Sequence, residues 1–161
     1  PEFIKYSDSD IDKKMEEAVN KSYDIYKMKQ ELELIKVEYF IADQYLNTDT
    51  YPHELAIEDK QAAIADGIES LKTSLLTDYY NIKNLEDNIE IEKLNLEISQ
   101  IDYDEAASRV KLGILNSSSE IESKVKLIEQ TNTLNNAISN YIKAYNDFEI
   151  NLTDFQESDS K

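Results

Sequence analysis

Residues 54–152 carry apolar side chains at helical spacing on both sides of one break, Leu112-Gly113-Ile114-Leu115-Asn116-Ser117-Ser118-Ser119. A chain patterned in this way is predicted to run as one very long helix, turn a corner and return as a second. Such a hairpin is longer than a globular domain needs. Among 161 residues there are only 2 Gly and 2 Pro, so the residues that punctuate compact folds are nearly missing. Hydrophobic residues make up 40% and charged residues 32%, without Trp, which is the profile of helices that bury a narrow stripe and leave the rest in water.

Three helices and two corners are predicted. The first helix starts after Ser7-Asp8-Ser9-Asp10, a cluster of capping oxygens and acidic groups suited to the positive end of a helix dipole. Its stripe is Ile11, Met15, Ala18, Ser22, Ile25, Leu32, Ile35, Tyr39, Ala42 and Leu46, stepping by three and four. Asn47-Thr48-Asp49-Thr50-Tyr51-Pro52 then forms a corner, with Pro52 in the first turn of the next helix. The second helix would cover about 60 residues and span roughly 90 Å at the helical rise. It carries one stripe of Ile64, Ile68, Leu71, Leu75, Tyr79, Ile82, Leu85 and Ile89, and a second of Leu94, Ile98, Ile101, Val110 and Ile114. Gly67 is its weak point, a place for a bend. Gly113 suits the left-handed residue that closes a helix, and Ser117-Ser118-Ser119-Glu120 reads as a capping box that opens the third. That helix carries Ile121, Val125, Ile128, Leu134, Ile138, Tyr141, Tyr145, Phe148 and Leu152.

The expected fold is therefore all-α, an elongated antiparallel coiled-coil hairpin with a third helix packed alongside one half of the long central helix. Residues 1–9 read as a tag scar (Pro1-Glu2-Phe3) and a disordered leader, 10–155 as the helical hairpin domain, and 156–161 as a polar tail.

Charge narrows the function. With 17 Lys and Arg against 34 Asp and Glu, the net charge of −17 repels phosphate backbones and anionic lipid surfaces, so nucleic acid is not an expected partner. No window is apolar enough to span a bilayer, and direct membrane insertion by these residues is not expected. Zero cysteines excludes disulfides and thiolate metal sites. The single histidine, His53, falls in the first corner and reads as a solvated residue, and no acidic cluster has the spacing of a calcium loop. No catalytic residue, metal or cofactor is expected, and the chain is not read as an enzyme. The 11 tyrosines read as helix packing, since Tyr39, Tyr79, Tyr141 and Tyr145 sit on stripes.

Three pieces in order suggest a family: Met15-Glu16-Glu17-Ala18 with Asn20-Lys21-Ser22-Tyr23-Asp24-Ile25, the corner Ala106-Ala107-Ser108-Arg109-Val110-Lys111-Leu112-Gly113-Ile114, and the returning segment that contains Ala137, Tyr141, Ala144, Tyr145 and Leu152. Over residues 11–152 the chain resembles one repeat of the helical duct of TolC-type outer-membrane efflux proteins. It departs from that pattern in holding a short corner at 47–52 where the family inserts barrel strands, and Ser119 where many repeats carry an Asp. The resemblance implies a duct module of an export or efflux assembly, located in the extracytoplasmic cell envelope, in the periplasm or at the cell surface. It implies a membrane-fusion adaptor hairpin as partner, docked at Leu112, Gly113, Ile114, Leu115 and Ser119, and a homo-oligomer built side by side. From the residues alone the same corner reads first as a helix cap and nothing more, and only with the resemblance do the two readings stand level. The alternative function is a structural or surface-interaction three-helix protein, in which the second helix folds back near Gly67.

Overall fold

The computed structural model describes residues 4–7, 9–46 and 48–153. Pro1-Glu2-Phe3, Asp8 of the expected cap cluster, Asn47 of the first corner and the tail 154–161 lie outside the described residues. Among the described residues there are four α-helices and no strand: α1 (Ile11–Lys21), α2 (Tyr23–Ile41), α3 (Tyr51–Lys111) and α4 (Ser117–Thr153), with a π-helical turn Ala42–Leu46 continuing α2. The class is all-α, and α3 packs against both α4 and α2 as a helical hairpin with a flanking helix.

Two compact units divide the chain, residues 4–6 with 79–147, and residues 7–78 with 148–153 less the undescribed positions. In the second, α1, α2 and the 51–78 part of α3 bury Ala18, Val19, Ile25, Leu32, Ala42, Ile64 and Leu75, with Phe148 from α4. The expected first helix is here two. Ser22 leaves helical geometry (φ −58°, ψ 122°), and its hydroxyl accepts the Ile25 N–H at 3.4 Å, so α1 stops and α2 starts at one buried serine. Serine on an apolar stripe was compatible with a continuous helix, but its oxygen competes for backbone donors and favours a cap. The start of α1 also differs in detail. Asp10 sits in the left-handed region (φ 63°) and makes no side-chain cap bond.

Helix α3 is unbroken through Gly67 and does not fold back there. The glycine instead permits close approach: a Cβ at this position would lie 3.2 Å from Ile25 Cδ1 and 3.6 Å from Met28 Sδ of α2. Lys60 and Glu31 pair across the same two helices, and the lysine holds the Glu31 carboxyl below its ordinary pKa. The first corner follows expectation, since Tyr51 N–H bonds the Asp49 carboxylate at 3.1 Å and Pro52 occupies the first turn of α3.

In the first unit, residues 79–111 of α3 and 117–147 of α4 form the antiparallel hairpin. Its seam is not the one expected from counting apolar residues. Buried and half-buried positions on α3 run 64, 68, 71, 75, 78, 82, 85, 89, 92, 96, 99, 103, 106 and 110, alternating steps of four and three without a slip. On α4 they run 123, 127, 130, 134, 137, 141 and 144. This is a heptad repeat, with 3.5 residues per turn keeping one face on the neighbour. Past Ile89 the seam is filled by Glu92, Leu96, Ser99, Tyr103, Ala106 and Val110, whereas the second stripe's Leu94, Ile98 and Ile101 lie exposed, as do Ile121, Val125 and Ile128 of α4. Glu92 is matched across the seam, because Gln130 Nε2 donates to its Oε2 at 2.6 Å.

Residues 4–6, read from sequence as leader, join this unit. Tyr6 is buried, its N–H donates to Glu86 Oε1 at 2.5 Å, and the Tyr141 hydroxyl donates to the Ile4 carbonyl at 2.8 Å. Burial foremost, and then the neighbouring Glu86 charge, pushes the Tyr141 phenol up to about 12 from 10.0.

Two measurements check this packing. Ile82→Asp, at a fully buried seam position, is expected to lower stability by about 3–5 kcal/mol in thermal melts, and Ile98→Asp, at 57% exposure, by no more than about 0.5 kcal/mol. The raised phenol value favours neutral Tyr141 in the folded chain, so its contribution is complete below pH 10.0 and is lost as pH rises toward about 12. Tyr141→Phe is therefore expected to flatten the alkaline fall in melting temperature over that interval, read by circular dichroism.

Candidate functional site

The corner between α3 and α4 gathers the residues singled out in the sequence. Helix α3 ends in a Schellman closure. Gly113 takes φ +72°, its N–H bonds the Val110 carbonyl at 2.9 Å, and the Ile114 N–H bonds the Arg109 carbonyl at 2.9 Å. Only a residue without Cβ holds that backbone at little cost, and a Cβ built there would meet nothing within 4 Å. The glycine is thus chosen by dihedral angle rather than by crowding.

Leu112 is 74% exposed and Ile114 66%, so two large apolar groups bracket an open glycine at the end of the hairpin. Leu115 is half-buried, its N–H reaching the Arg109 carbonyl at 3.3 Å, and it lines an open groove of about 260 Å³ with Ala106, Arg109, Ser123 and Lys126. Beside that groove Arg109 pairs with Glu105 at 2.5 Å.

Helix α4 opens one residue earlier than the capping box implied. Asn116 is the cap: its Oδ1 accepts the Ser119 N–H at 3.1 Å and the Ser118 hydroxyl at 2.6 Å. Asparagine caps at least as well as serine, and placing it at the junction makes Ser117 the first helical residue. Ser119, half-buried, is therefore occupied in this cap, with its hydroxyl also 3.1 Å from Asn116 Oδ1. The structure brings Leu112, Gly113 and Ile114 together as an exposed apolar tip, with Leu115 and Ser119 behind them as parts of the corner's own closure. Asn116 and the serines after it are all strong capping types, so the sequence offers several adjacent caps, and the one used is Asn116.

The corner presents two exposed apolar side chains and an open backbone beside the Arg109–Glu105 ion pair. Elsewhere, half-exposed His53 lies in the first turn of α3 with its N–H on the Thr50 carbonyl at 3.0 Å. Among the described residues no group of three or more His, Cys, Asp or Glu is placed to hold a metal ion, and no helix is long and apolar enough to cross a membrane. Comparison with protein-family models, with curated proteins and with solved structures finds no match to this chain.

The corner's energetics can be read directly. Gly113→Ala is expected to cost about 1–2 kcal/mol because alanine must take a left-handed backbone. Asn116→Ala should cost about 1 kcal/mol, while Ser117→Ala should change stability by less than about 0.5 kcal/mol. Thermal melts of the three variants, ranked in this order, check the cap assignment.

Proposed function

We propose that this chain is a TolC-like helical duct module of an envelope export or efflux assembly. It docks the helical hairpin of a membrane-fusion adaptor through its tip, and it acts as a binding and conduit element rather than as an enzyme. The observation that carries this reading is the tip itself: Leu112 and Ile114 project from a glycine corner at the end of an antiparallel hairpin. A second backbone can approach an open glycine closely, and two exposed apolar groups supply a small contact that loses water on docking. Neither side chain is needed for the fold.

The exposed outer stripes support the duct-wall half of the proposal. Ile91, Leu94, Ile98 and Ile101 on α3 and Ile121, Val125 and Ile128 on α4 repeat at helical spacing outside the seam. Apolar rows of this kind mark surfaces that are covered by another chain. Side-by-side copies with the same heptad geometry would cover them.

Docking is tested by pull-down against the hairpin domain of a cognate adaptor. Leu112→Asp with Ile114→Asp is expected to weaken binding at least about tenfold while changing the melting free energy by no more than about 0.5 kcal/mol. Unchanged binding would remove the tip as the docking surface. Self-association is tested by sedimentation. The net charge of −17 opposes it at low salt, so assembly should strengthen as added salt shortens the screening length toward about 8 Å, and Leu94→Glu with Ile98→Glu should abolish it. A monomer under all conditions would leave the duct-wall role without support.

A further inference from the structure

The segment Ile4-Lys5-Tyr6 is held by side chains that read its backbone. Tyr6 N–H donates to Glu86 Oε1 at 2.5 Å, the Lys83 ammonium donates to the Tyr6 carbonyl at 3.1 Å, and the Tyr141 hydroxyl donates to the Ile4 carbonyl at 2.8 Å. The Tyr6 ring lies edge-on to Tyr79 and Tyr145, with centroids 6.3 and 5.4 Å away, and Lys5 pairs with Glu90 at 2.5 Å. The Ile4 side chain is 77% exposed and takes no part. Recognition therefore rests on main chain, a cation and an aromatic ring, which is how a groove binds an extended peptide.

The receptor is built around a carboxylate at 3% exposure. A charge removed from water is tolerable only when it is paired and hydrogen-bonded, and Glu86 also has Lys83 at 3.2 Å and the Tyr141 hydroxyl at 3.5 Å. Between this arm and α1, Asp10 takes a left-handed backbone (φ 63°) uncommon for a residue with a Cβ. An arm joined to the helices through a residue held in a strained backbone, here Asp10, favours exchange of identical elements between copies.

We propose that the site formed by Lys83, Glu86 and Glu90 of α3 with Tyr141 and Tyr145 of α4 accepts Ile4-Lys5-Tyr6 from a second copy of this chain as well as from its own. Arm exchange then links the copies. The contacts are identical in the two cases, so the balance lies between relief at Asp10 and the effective concentration of the tethered arm, on the order of mM. None of these residues belongs to the corner at 112–115, so the inference goes beyond adaptor docking and fails or stands independently of it.

The chain has no Trp and no Cys, which gives a clean probe. Full-length Ile4→Trp serves as energy donor, and full-length Asp87→Cys, altered at an exposed residue beside Glu86 and labelled with a thiol-reactive acceptor, serves as receptor. Mixed at about 1 mM, the range of the tethered arm's effective concentration, the two are expected to give sensitised acceptor emission that grows with concentration. Glu86→Gln with Tyr141→Phe in the acceptor chain should reduce it several-fold. Because Glu86 is buried, the same loss is also read with Tyr6→Ala in the donor chain, which leaves the receptor intact, and circular dichroism verifies that helicity is retained. Transfer within a chain carrying both Ile4→Trp and labelled Asp87→Cys, but none between chains, would overturn the proposal, as would transfer between chains that survives both sets of changes, since it would then report only side-by-side packing.

Discussion

The fold depends on one continuous heptad face along α3. From Ile64 to Val110 every step of four or three lands on a buried or half-buried residue, and no insertion breaks the phase. The period matters because a straight helix at 3.6 residues per turn drifts by about 20° per heptad, which would carry the face away from its neighbour before Val110. In one unit α2 approaches α3 at Gly67, beside this face, where a Cβ would lie 3.2 Å from Ile25 Cδ1. In the other the face receives α4. Each pairing is thin, so the seam has little apolar volume to spare and position counts for more than bulk.

That economy explains why polar residues stand inside the seam without penalty. Glu92 faces Gln130 at 2.6 Å, and no buried side-chain nitrogen or oxygen among the described residues lacks a hydrogen-bond partner. A matched polar pair on a heptad face disfavours slipped registers, because a slip of one turn would leave both groups facing apolar neighbours. Glu86 does similar work with Tyr141, Lys83 and the Tyr6 backbone. The arm at residues 4–6 is thereby an integral layer of the hairpin unit.

The corner shows a different kind of control. Its geometry is set locally, by a left-handed glycine and an asparagine cap, and it leaves two apolar side chains outside. A tip defined by backbone closure can change its exposed residues with little effect on the helices behind it. This separation between a stiff support and an adjustable tip is what the proposed docking role would use.

Much of this was legible in the chain. The scarcity of Gly and Pro dictated long helices, Gly113 and Pro52 marked the two corners, and the stripe from Ile64 to Ile89 was correctly phased, because capping chemistry and helical period act over a few residues. The seam beyond Ile89 and the docking of Tyr6 were decided by tertiary structure, whereas the break at Ser22 and the cap at Asn116 are local bonds for which neighbouring residues offered competing choices. In each of these a local preference was ambiguous: Leu94 and Ile98 are more hydrophobic than Glu92 and Ser99, serine suits a helix face or a cap, and a tyrosine ahead of the first helix carries no period at all. What resolved the seam and the arm was the requirement that one face of α3 stay against its neighbour at 3.5 residues per turn, and that polar groups such as Glu86 and Glu92, taken out of water, find matching groups from a distant part of the chain.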